Sequence, residues 1–431
     1  MSHPVRDVPS RSFSDLSLDP AIIDVLRRRD ITIPTPVQLA VIPDALAGHH
    51  VLGRARTGSG KTLAFGLPVL ARLAGSKSRP GRPRGLVLLP TRELANQVAE
   101  ALAPLASALG LKLATVYGGA PMGKQITALR QGADVVIATP GRLGDLIERR
   151  QCHLDAVEVT VLDEADHLCD LGFYKPIDRL LAATPSDGQR LLLSATLDGQ
   201  VDKLVRRHLP QHRRHEVDPV DQLSDSTEHH LLVSEQTERL SVARDLVTAN
   251  PRSIVFTRTR RGAQRLARQL STGAVVAVDL HGDLNQSQRE RNLKRFRSGD
   301  ASVIVATDVA ARGIHIDGIG LVVHYDAPAE PKAFTHRSGR TARAGESGAV
   351  VTMTTPAAVN DVVRMQQKAG VAARRHDSRR APRPLTVEAL ATSGQVATAT
   401  TRPPSGGNST PRSGNRNRNR NRRRRAPQRV S

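Results

Sequence analysis

The sequence predicts an α/β protein with two successive domains, each built on a parallel β-sheet that helices cover on both faces. The chain has 431 residues, which exceeds the size of one usual domain. Short, continuously apolar runs alternate with helical stretches, as expected for strands buried on both faces of a parallel sheet. This alternation stops at a polar interval near residue 220 and then starts again. We therefore expect two tandem domains of one architecture.

The first of these domains is predicted to span residues 13–216. A short helical pattern in 13–29 begins after Asp19-Pro20, an N-cap followed by a first-turn proline, and a second helix covers 39–46. After Leu52 come five strand-like runs, at 85–89, 113–117, 134–138, 159–162 and 191–193. Each run is short, continuously apolar and separated from the next by helical sequence, as in a parallel sheet covered on both faces.

The second domain is predicted to span residues 229–370 and to follow a linker at 217–228, which is rich in Asp, Ser and Thr. Helical stretches at 259–270 and 286–296 lie between its strands. Its strand-like runs are at 230–233, 253–256, 275–278, 303–306, 321–324 and 348–353. We predict that residues 1–12 and a tail from 371 to 431 are disordered, since both are polar and the tail contains an Asn-Arg repeat.

Charge points to a polyanionic partner, most simply nucleic acid. The formal net charge is +22, and residues 371–431 carry 15 Arg against two acids, a net +13. No run of about 18 apolar residues is found, so we expect no membrane span. Two cysteines, Cys152 and Cys169, have no metal-ligand spacing, which is typical of a reduced, cytoplasmic protein. We expect the core to be monomeric.

A candidate phosphate-binding loop lies at residues 55–62, after an apolar run and before helical sequence. Its sequence is Ala55-Arg56-Thr57-Gly58-Ser59-Gly60-Lys61-Thr62. Glycines let backbone N–H groups approach an anion, Lys61 is placed to meet the β- and γ-phosphates, and the Thr62 hydroxyl to bind Mg²⁺. Alanine stands where the general pattern has its first glycine. Taken alone, an ordinary glycine turn is as good an interpretation as a nucleotide site.

Acidic residues follow the strand-like run at 159–162, in the order Asp163-Glu164-Ala165-Asp166. A nucleotide-hydrolysing site needs one carboxylate for Mg²⁺ and a second to orient or deprotonate water. Asp163 suits the first role and Glu164 the second. The alternative is a strand-end turn with solvated acids, which loses weight beside a Gly-Lys-Thr loop.

With these residues the chain resembles the DEAD-box ATP-dependent RNA helicases of superfamily 2, over about residues 13–370. The resemblance implies two RecA-like domains, with ATP and Mg²⁺ as cofactors and RNA as partner. In this family the loop runs Ala-x-Thr-Gly-x-Gly-Lys-Thr, so Ala55 is the expected residue. Phe13 and the segment 34–38 look like the Q motif, in which Gln38 reads adenine and Phe13 stacks on it. The implied nucleotide-binding residues are Phe13, Gln38, Thr57, Gly58, Ser59, Gly60, Lys61, Thr62 and Gly313.

Further motifs imply an RNA surface on both domains. In the first domain, residues after three apolar runs are similar to the family's RNA-gripping motifs: Pro90, Thr91, Arg92, Gly119, Thr139, Pro140, Gly141 and Arg142. In the second, Gln288 and Arg291 match a Q-x-x-R pair on one helix face, and Thr307 belongs to motif V. The contacts implied are to the backbone, so RNA binding, single-stranded or duplex, is expected to be independent of sequence.

Two sets of residues are implied to link the domains. Ser194, Thr196, Asp166 and His336 resemble the coupling motifs, and Arg340 and Arg343 resemble arginine fingers that reach the γ-phosphate. The catalytic set is then Lys61, Asp163, Glu164, Arg340 and Arg343. Three positions depart from the family pattern: Asp30, His315 and Ala342. His315 replaces an aspartate that contacts ribose, which puts that contact in doubt.

The sequence thus predicts RNA-stimulated ATP hydrolysis coupled to local duplex unwinding or remodelling of RNA–protein complexes. Ribosomal and RNA-decay assemblies are both compatible partners, and the residues do not select between them. Two alternatives remain open. One is a non-catalytic RNA-binding protein, an ATP-gated clamp or an annealing factor that depends on the basic tail. The other is a DNA translocase, which the forms of Gln38 and Asp163–Asp166 disfavour.

Overall fold

The structure, a computed structural model, describes residues 12–55, 58–197, 199–217, 227–271, 273, 275–311, 316, 318–342, 347–381, 384–392 and 395–396. Residues 1–11, most of the predicted linker and the part of the predicted tail after residue 396 lie outside these ranges. Within them, no helix combines the length and apolar character that crossing a bilayer requires.

The first domain alternates strands with helices, as predicted. A 3₁₀ turn at Phe13–Leu16 precedes its first helix. The elements are α1 Pro20–Arg28, α2 Pro36–Leu46, β1 Val51–Arg54, α3 Lys61–Leu73, β2 Gly85–Leu88, α4 Arg92–Ala108, β3 Leu113–Val116, α5 Met122–Arg130, β4 Val135–Ala138, α6 Pro140–Glu148, β5 Val159–Leu162, α7 Ala165–Asp170, α8 Tyr174–Ala182, β6 Gln189–Ser194, α9 Gly199–His208 and β7 Arg213–Glu216.

Seven parallel strands form the first sheet, in the order β3-β4-β2-β5-β6-β1-β7. The central strands β2, β4 and β5 are buried along their full length, which explains their continuous apolar sequences. One apolar cluster packs α1–α4 on one face, and a second packs α5–α9 on the other. Because all strands are parallel, the loops after β1, β2, β4, β5 and β6 meet at one edge of the sheet.

The second domain repeats this plan. Its elements are β8 Thr227–Val233, α10 Arg239–Ala249, β9 Ser253–Phe256, α11 Arg260–Leu270, β10 Ala277–Leu280, α12 Gln286–Ser298, β11 Val303–Ala306, α13 Asp308–Ala311, β12 Leu321–His324, α14 Pro331–Ser338, β13 Gly348–Thr354, α15 Val359–Lys368, β14 Arg374–Asp377, α16 Val387–Thr392 and β15 Gln395–Val396. The sheet order is β10-β11-β9-β12-β13-β8-β14-β15, and only the β14–β15 pairing is antiparallel. Helices α12, α14 and α15 cover one face, and α10 and α11 the other. Tandem RecA-like domains are therefore confirmed.

Three boundaries differ from the prediction. The strand predicted at 275–278 lies at Ala277–Leu280, and the linker ends by Thr227, where β8 begins. The predicted end of the folded part at residue 370 is too early, because β14 pairs with β8 and the side chains of Leu385 and Leu390 are fully buried. Strand β14 was not predicted because its sequence is polar: both of its arginines face solvent.

Candidate nucleotide and nucleic-acid site

The predicted phosphate loop follows β1 at the edge where the loops meet. Gly58 and Gly60 have φ values of 89° and 93°, in the left-handed region that favours glycine. A Cβ on Gly60 would lie 2.6 Å from Nε2 of Gln38 and 2.9 Å from Oγ1 of Thr35. The loop therefore approaches the start of α2 more closely than a residue with a side chain allows.

Gln38 connects the start of α2 to this loop. Its Oε1 accepts a hydrogen bond from the backbone N–H of Thr35 at 2.8 Å, and its Nε2 donates to the Gly60 carbonyl at 3.0 Å. The side chain is buried, with 3% of its surface exposed. An amide keeps a further N–H and lone pair after these two bonds. Gln38 can thus both bind a ligand and hold the loop.

Lys61 is the buried cation of the site. Its Nζ donates a hydrogen bond to the Ala55 carbonyl at 3.0 Å, which directs the ammonium group into the curve of the loop. The positive charge of Lys61 favours the ionised form of both Asp163 and Glu164. A buried ammonium beside two carboxylates is suited to binding a charged phosphate group together with a cation.

Asp163 lies at the end of β5 and is almost completely buried. Burial raises the pKa of Asp163 to about 6, although Lys61 and the backbone N–H of Glu164, which donates to Oδ1 at 2.9 Å, favour its charged form. The site thus contains a carboxylate whose negative charge the protein alone does not fully compensate.

The pKa of Glu164 is shifted in the opposite direction to that of Asp163. Burial opposes its ionisation, but the hydrogen bond from His167 and the charges of Lys61 and Arg340 hold the pKa of Glu164 below its usual value. The Nδ1 atom of His167 lies 3.3 Å from Oε2 of Glu164. Glu164 also adopts a left-handed backbone conformation, with φ of 51°. Its carboxylate is therefore ionised and oriented, with Arg340 of the second domain among the charges that keep it so.

Asp166 joins the end of β6 to the second domain. Its backbone N–H donates to Oγ of Ser194 at 3.2 Å, and its Oδ2 accepts from Oγ1 of Thr196 at 3.2 Å. Nε2 of His336, on α14, lies 3.9 Å from the same Oδ2 atom. The four residues predicted to couple the domains are thus brought together.

The arginines of the second domain have separate roles. Arg337 is buried and makes a bidentate contact with Asp308 at 2.5 and 2.7 Å, and its Nη1 donates to the Asp326 carbonyl. Arg337 therefore links α14 to the start of α13. Arg340 lies just beyond α14, and its positive charge contributes to the lowered pKa of Glu164.

Residues of the predicted RNA surface in the first domain occupy the starts of helices. Thr91 caps α4 by accepting from the Leu94 N–H, and Thr139 is the N-cap of α6, with Pro140 as its first residue. Arg92 Nη1 donates to the Gly118 carbonyl at 3.0 Å, and Arg142 Nη1 to the Ala120 carbonyl at 3.0 Å. These two bonds tie the starts of α4 and α6 to the loop after β3.

In the second domain, both residues of the expected pair on α12 are exposed. Gln288 serves the N-cap, since its Oε1 accepts from the Asn285 N–H, and Arg291 is exposed. It is Arg289 that faces the first domain: its Nε lies 2.8 Å from Oε1 of Glu93, with 10% and 7% of the two side chains exposed. Thr307 is buried at the end of β11. The predicted helix is present, and the role of the exposed Gln288 and Arg291 as an RNA-binding pair stays a prediction.

Comparison with known proteins agrees with this geometry. Residues 35–204 match the family model described as DEAD/DEAH box helicase, and 237–345 match the helicase conserved C-terminal domain. The Bacillus subtilis DEAD-box ATP-dependent RNA helicase CshA is 37% identical over 350 residues, which cover 80% of this chain and 70% of CshA.

The chain belongs to the DEAD-box helicase family.

Two further relatives place this DEAD-box chain among known proteins. The chloroplastic DEAD-box ATP-dependent RNA helicase 3A of Zea mays is 40% identical over 374 residues, 84% of this chain and 50% of that protein. The structure of S. cerevisiae Dbp5 bound to RNA and ADP BeF3 superposes with a TM-score of 0.75 and 28% identity, over 85% of this chain and 95% of that one. The chain spans about half the length of the plant relatives that it matches.

Phe13 is not placed as the DEAD-box resemblance implied. Only 2% of its surface is exposed, and it packs in the apolar cluster with α1–α4. Stacking on a base needs an exposed ring face. In this arrangement Phe13 supports the segment that leads to Gln38, and it presents no exposed ring face on which a base could stack.

Four DEAD-box positions of interest lie outside the described residues: Thr57, Gly313, His315 and Arg343. The roles assigned to these residues therefore stay predictions. Ser59 and Thr62 are described and partly exposed at the loop, in the places that the motif requires.

Three pairs at this DEAD-box site were not predicted: His167 with Glu164, Arg289 with Glu93, and Lys332 with Asp170. The last two join the domains, at 2.8 and 3.2 Å. The His167 contact had only a local signal in the sequence: Glu164 immediately precedes α7, and His167 lies three residues later in its first turn. The pairs across domains had none, since the partners are separated by 196 and 162 residues.

Proposed function

We propose that this protein is an RNA-stimulated ATPase that uses ATP hydrolysis to separate short RNA duplexes or remodel RNA–protein complexes. One observation carries the proposal. Lys61, Asp163 and Glu164 of the first domain form a buried charged site, and Arg340 of the second domain acts on it. A site divided between two domains can be completed or opened by whatever controls the arrangement of the domains.

ATP with Mg²⁺ fits the residues present. Asp163 is a buried carboxylate whose pKa is raised to about 6, and a divalent cation would compensate its charge. Thr62 and Asp163 would hold the ion, Lys61 and the loop N–H groups the phosphates, and Gln38 the base. When bound, Mg²⁺ would neutralise charge on the phosphate oxygens.

Glu164 and Arg340 supply the remaining chemistry. Because the pKa of Glu164 is lowered, its carboxylate is ionised and accepts a hydrogen bond from the attacking water, which it orients. The lowered pKa favours orientation of water over storage of its proton. Arg340 would stabilise the negative charge that develops on the transferred phosphoryl group. Turnover would therefore require the second domain to be in place.

In this proposal, RNA binding brings the second domain into the position that turnover requires. The helix starts at Thr91 and Thr139 and the buried Thr307 offer backbone N–H groups and hydroxyls on both domains. A strand bound across both would favour the arrangement in which Arg340 acts at Glu164. The Dbp5 relative was solved with RNA and a nucleotide, which supports the same partner for this chain.

We further propose a monomeric core in the cytoplasm, acting in ribosomal or RNA-decay assemblies without base specificity. The two unpaired cysteines support a reducing compartment, and the net charge of +22 supports an RNA partner. RNA crosslinking in the cells that make the protein, followed by sequencing, would identify the assembly.

The test is ATP turnover by purified Lys61→Ala and Glu164→Gln, with and without single-stranded RNA. We expect RNA to stimulate the wild type, and each variant to lose at least about 100-fold in turnover, because each removes a group that acts on the transition state. Exposed Lys203→Ala and Glu148→Gln are matched controls that should retain it. Near-normal turnover in either site variant would refute the assignment.

A second assay separates this proposal from its alternatives. Strand separation of a short RNA duplex is measured with ATP and with ATP omitted. Separation only with ATP supports the helicase, whereas equal separation or annealing without ATP supports an RNA-binding factor. Equal stimulation of the ATPase by DNA and RNA would favour a DNA translocase.

A further inference from the structure

Helix α11 carries a row of arginines on its outer face. Arg261, Arg265 and Arg268 are exposed and spaced by four and three residues, so they lie on one side of the helix. The opposite side, including Ala263 and Leu266, is buried against the sheet. We call the three arginines the α11 stripe.

The stripe lacks compensating charge. No acidic residue occurs within α11, and none of the three arginines forms an ion pair in the described part of the chain. The neighbouring Arg260, in contrast, pairs with Asp283. Like charges spaced by four residues repel, and Arg261 also sits in the first turn, near the positive end of the helix dipole. An anion bound along the stripe would relieve both effects.

The position of the stripe relates it to the proposed RNA surface. Thr259 caps α11 directly after β9, and β9 pairs in parallel with β11, so the start of α11 lies at the same sheet edge as Thr307. From Arg261 to Arg268 the helix rises about 10 Å away from this edge. Helix α12 packs on the other face of the sheet. The stripe thus begins beside the motif residues and leads away from them.

We propose that the α11 stripe is a second RNA contact, which binds the backbone phosphates of the strand where it leaves the motif residues. This inference rests on the proposed function, since it extends the same RNA surface. Arginine and phosphate form charge-assisted hydrogen bonds, and such contacts add affinity without reading bases. The stripe would strengthen the binding of RNA with a single-stranded extension, compared with RNA that contacts only the motif residues of the proposed RNA surface.

The test uses the full chain with Arg261, Arg265 and Arg268 all changed to Gln. Binding is measured for a short strand that fills the motif surface alone and for a longer strand, over a range of salt concentrations. For the longer strand we expect about tenfold weaker binding at low salt, and a plot of log affinity against log salt that is less steep by about 2, from three lost phosphate contacts. Binding of the short strand should be unchanged.

The matched control changes Arg72, Arg149 and Arg179 to Gln. These exposed arginines lie at the ends of α3, α6 and α8, on the sheet edge opposite the motifs, and give the same change in charge. The basic C-terminal tail is present in every variant, so a difference between variants is caused by the substituted arginines. Unfolding temperature shows that the stripe variant is folded, and should equal or exceed that of the wild type because a repulsion is removed.

Equal binding of the longer strand by wild type and stripe variant, or an equal loss in the control variant, would overturn the inference. A wild type whose ATPase does not respond to the short strand would instead overturn the proposed function. The inference thus fails on the binding of the longer strand, and the proposed function fails on ATPase stimulation by the short strand, so the two failures can be distinguished.

Discussion

At the residue scale, Asp163 holds a charge that the ligand-free protein does not favour. The folded state keeps its proton up to about pH 6, whereas the unfolded chain releases it near 3.8. Stability is therefore lost as the pH rises through this window, and the loss is complete at pH 7. We expect Asp163→Asn to increase the free energy of unfolding of the ligand-free protein at pH 7 by up to about 3 kcal/mol, while ATP turnover is lost. Urea unfolding measures the first effect.

Asp134 provides the contrast for that experiment. It is equally buried, but its two carboxylate oxygens accept backbone N–H bonds from Ser78 at 2.7 Å and Lys112 at 2.8 Å. Asp134→Asn should lower stability, because an amide nitrogen replaces one acceptor. If Asp163→Asn were destabilising like Asp134→Asn, Asp163 would be a structural residue and its assignment to the metal would be wrong.

The sequence was most informative about residues whose chemistry is tied to a local motif. Lys61, Gln38 and Glu164 were identified because the groups around them follow in fixed order along the chain. Phe13 was assigned from the same kind of resemblance, yet it is buried. A motif specifies which residue is present, whereas packing of the neighbouring helices decides whether its ring is accessible.

At the element scale, the contact between α4 and α12 joins the two domains. We expect Glu93→Ala and Arg289→Ala each to raise the RNA concentration needed for half-maximal ATPase, because either change leaves a buried charge unpaired in this arrangement. The double variant should be little worse than either single one. A double-mutant cycle on this quantity should give a coupling free energy of about 1–3 kcal/mol.

The pair of Asp170 and Lys332 is a built-in comparison for that cycle. It also joins the domains, but its side chains are 28% and 30% exposed. Its coupling should be below about 1 kcal/mol, as for exposed ion pairs. Equal coupling in the two cycles would show that burial does not strengthen the Glu93–Arg289 pair.

Strands that are buried on both faces were predicted correctly from the sequence, whereas strands with exposed side chains were missed. Central strands such as β4 and β11 have continuous apolar sequences because both faces are covered. The strands β7 and β14 were missed because they carry exposed arginines, and β7 lies at the edge of its sheet. On such strands the backbone pairing supplies the structure, and side-chain patterns carry little of that information.

For the whole molecule, histidines packed around α14 predict how stability depends on pH. Burial, with a smaller effect of His230, lowers the pKa of His229 to about 4, and the ring packs 5.7 Å from Phe334 between centroids. Burial also lowers the pKa of His324, which packs against Phe334 at 5.0 Å, with Arg337 and His229 adding to the effect. Both rings are therefore neutral in the folded protein at pH 7 and at pH 5.

The unfolded chain protonates these rings near pH 6.5, so the stability present above that value is lost as the pH falls toward 4. Between pH 7 and pH 5 we expect His229 to account for a loss of about 2 kcal/mol. His229→Leu should remove that part of the pH dependence, as measured by urea unfolding at both pH values. An unchanged difference between pH 7 and pH 5 would show that the ring is not kept neutral.

The order of strands at the end of the second sheet has a practical consequence for anyone who shortens this protein. A chain cut at residue 370, where the apolar pattern ends, would lose β14 and leave the backbone groups of β8 unpaired along one side. It would also uncover the surface that Leu385 and Leu390 fill. An open strand beside bare apolar surface is a template for self-association. Removal of the arginine-rich tail is thus best made after Val396, so that a loss of RNA binding is not confused with a loss of solubility.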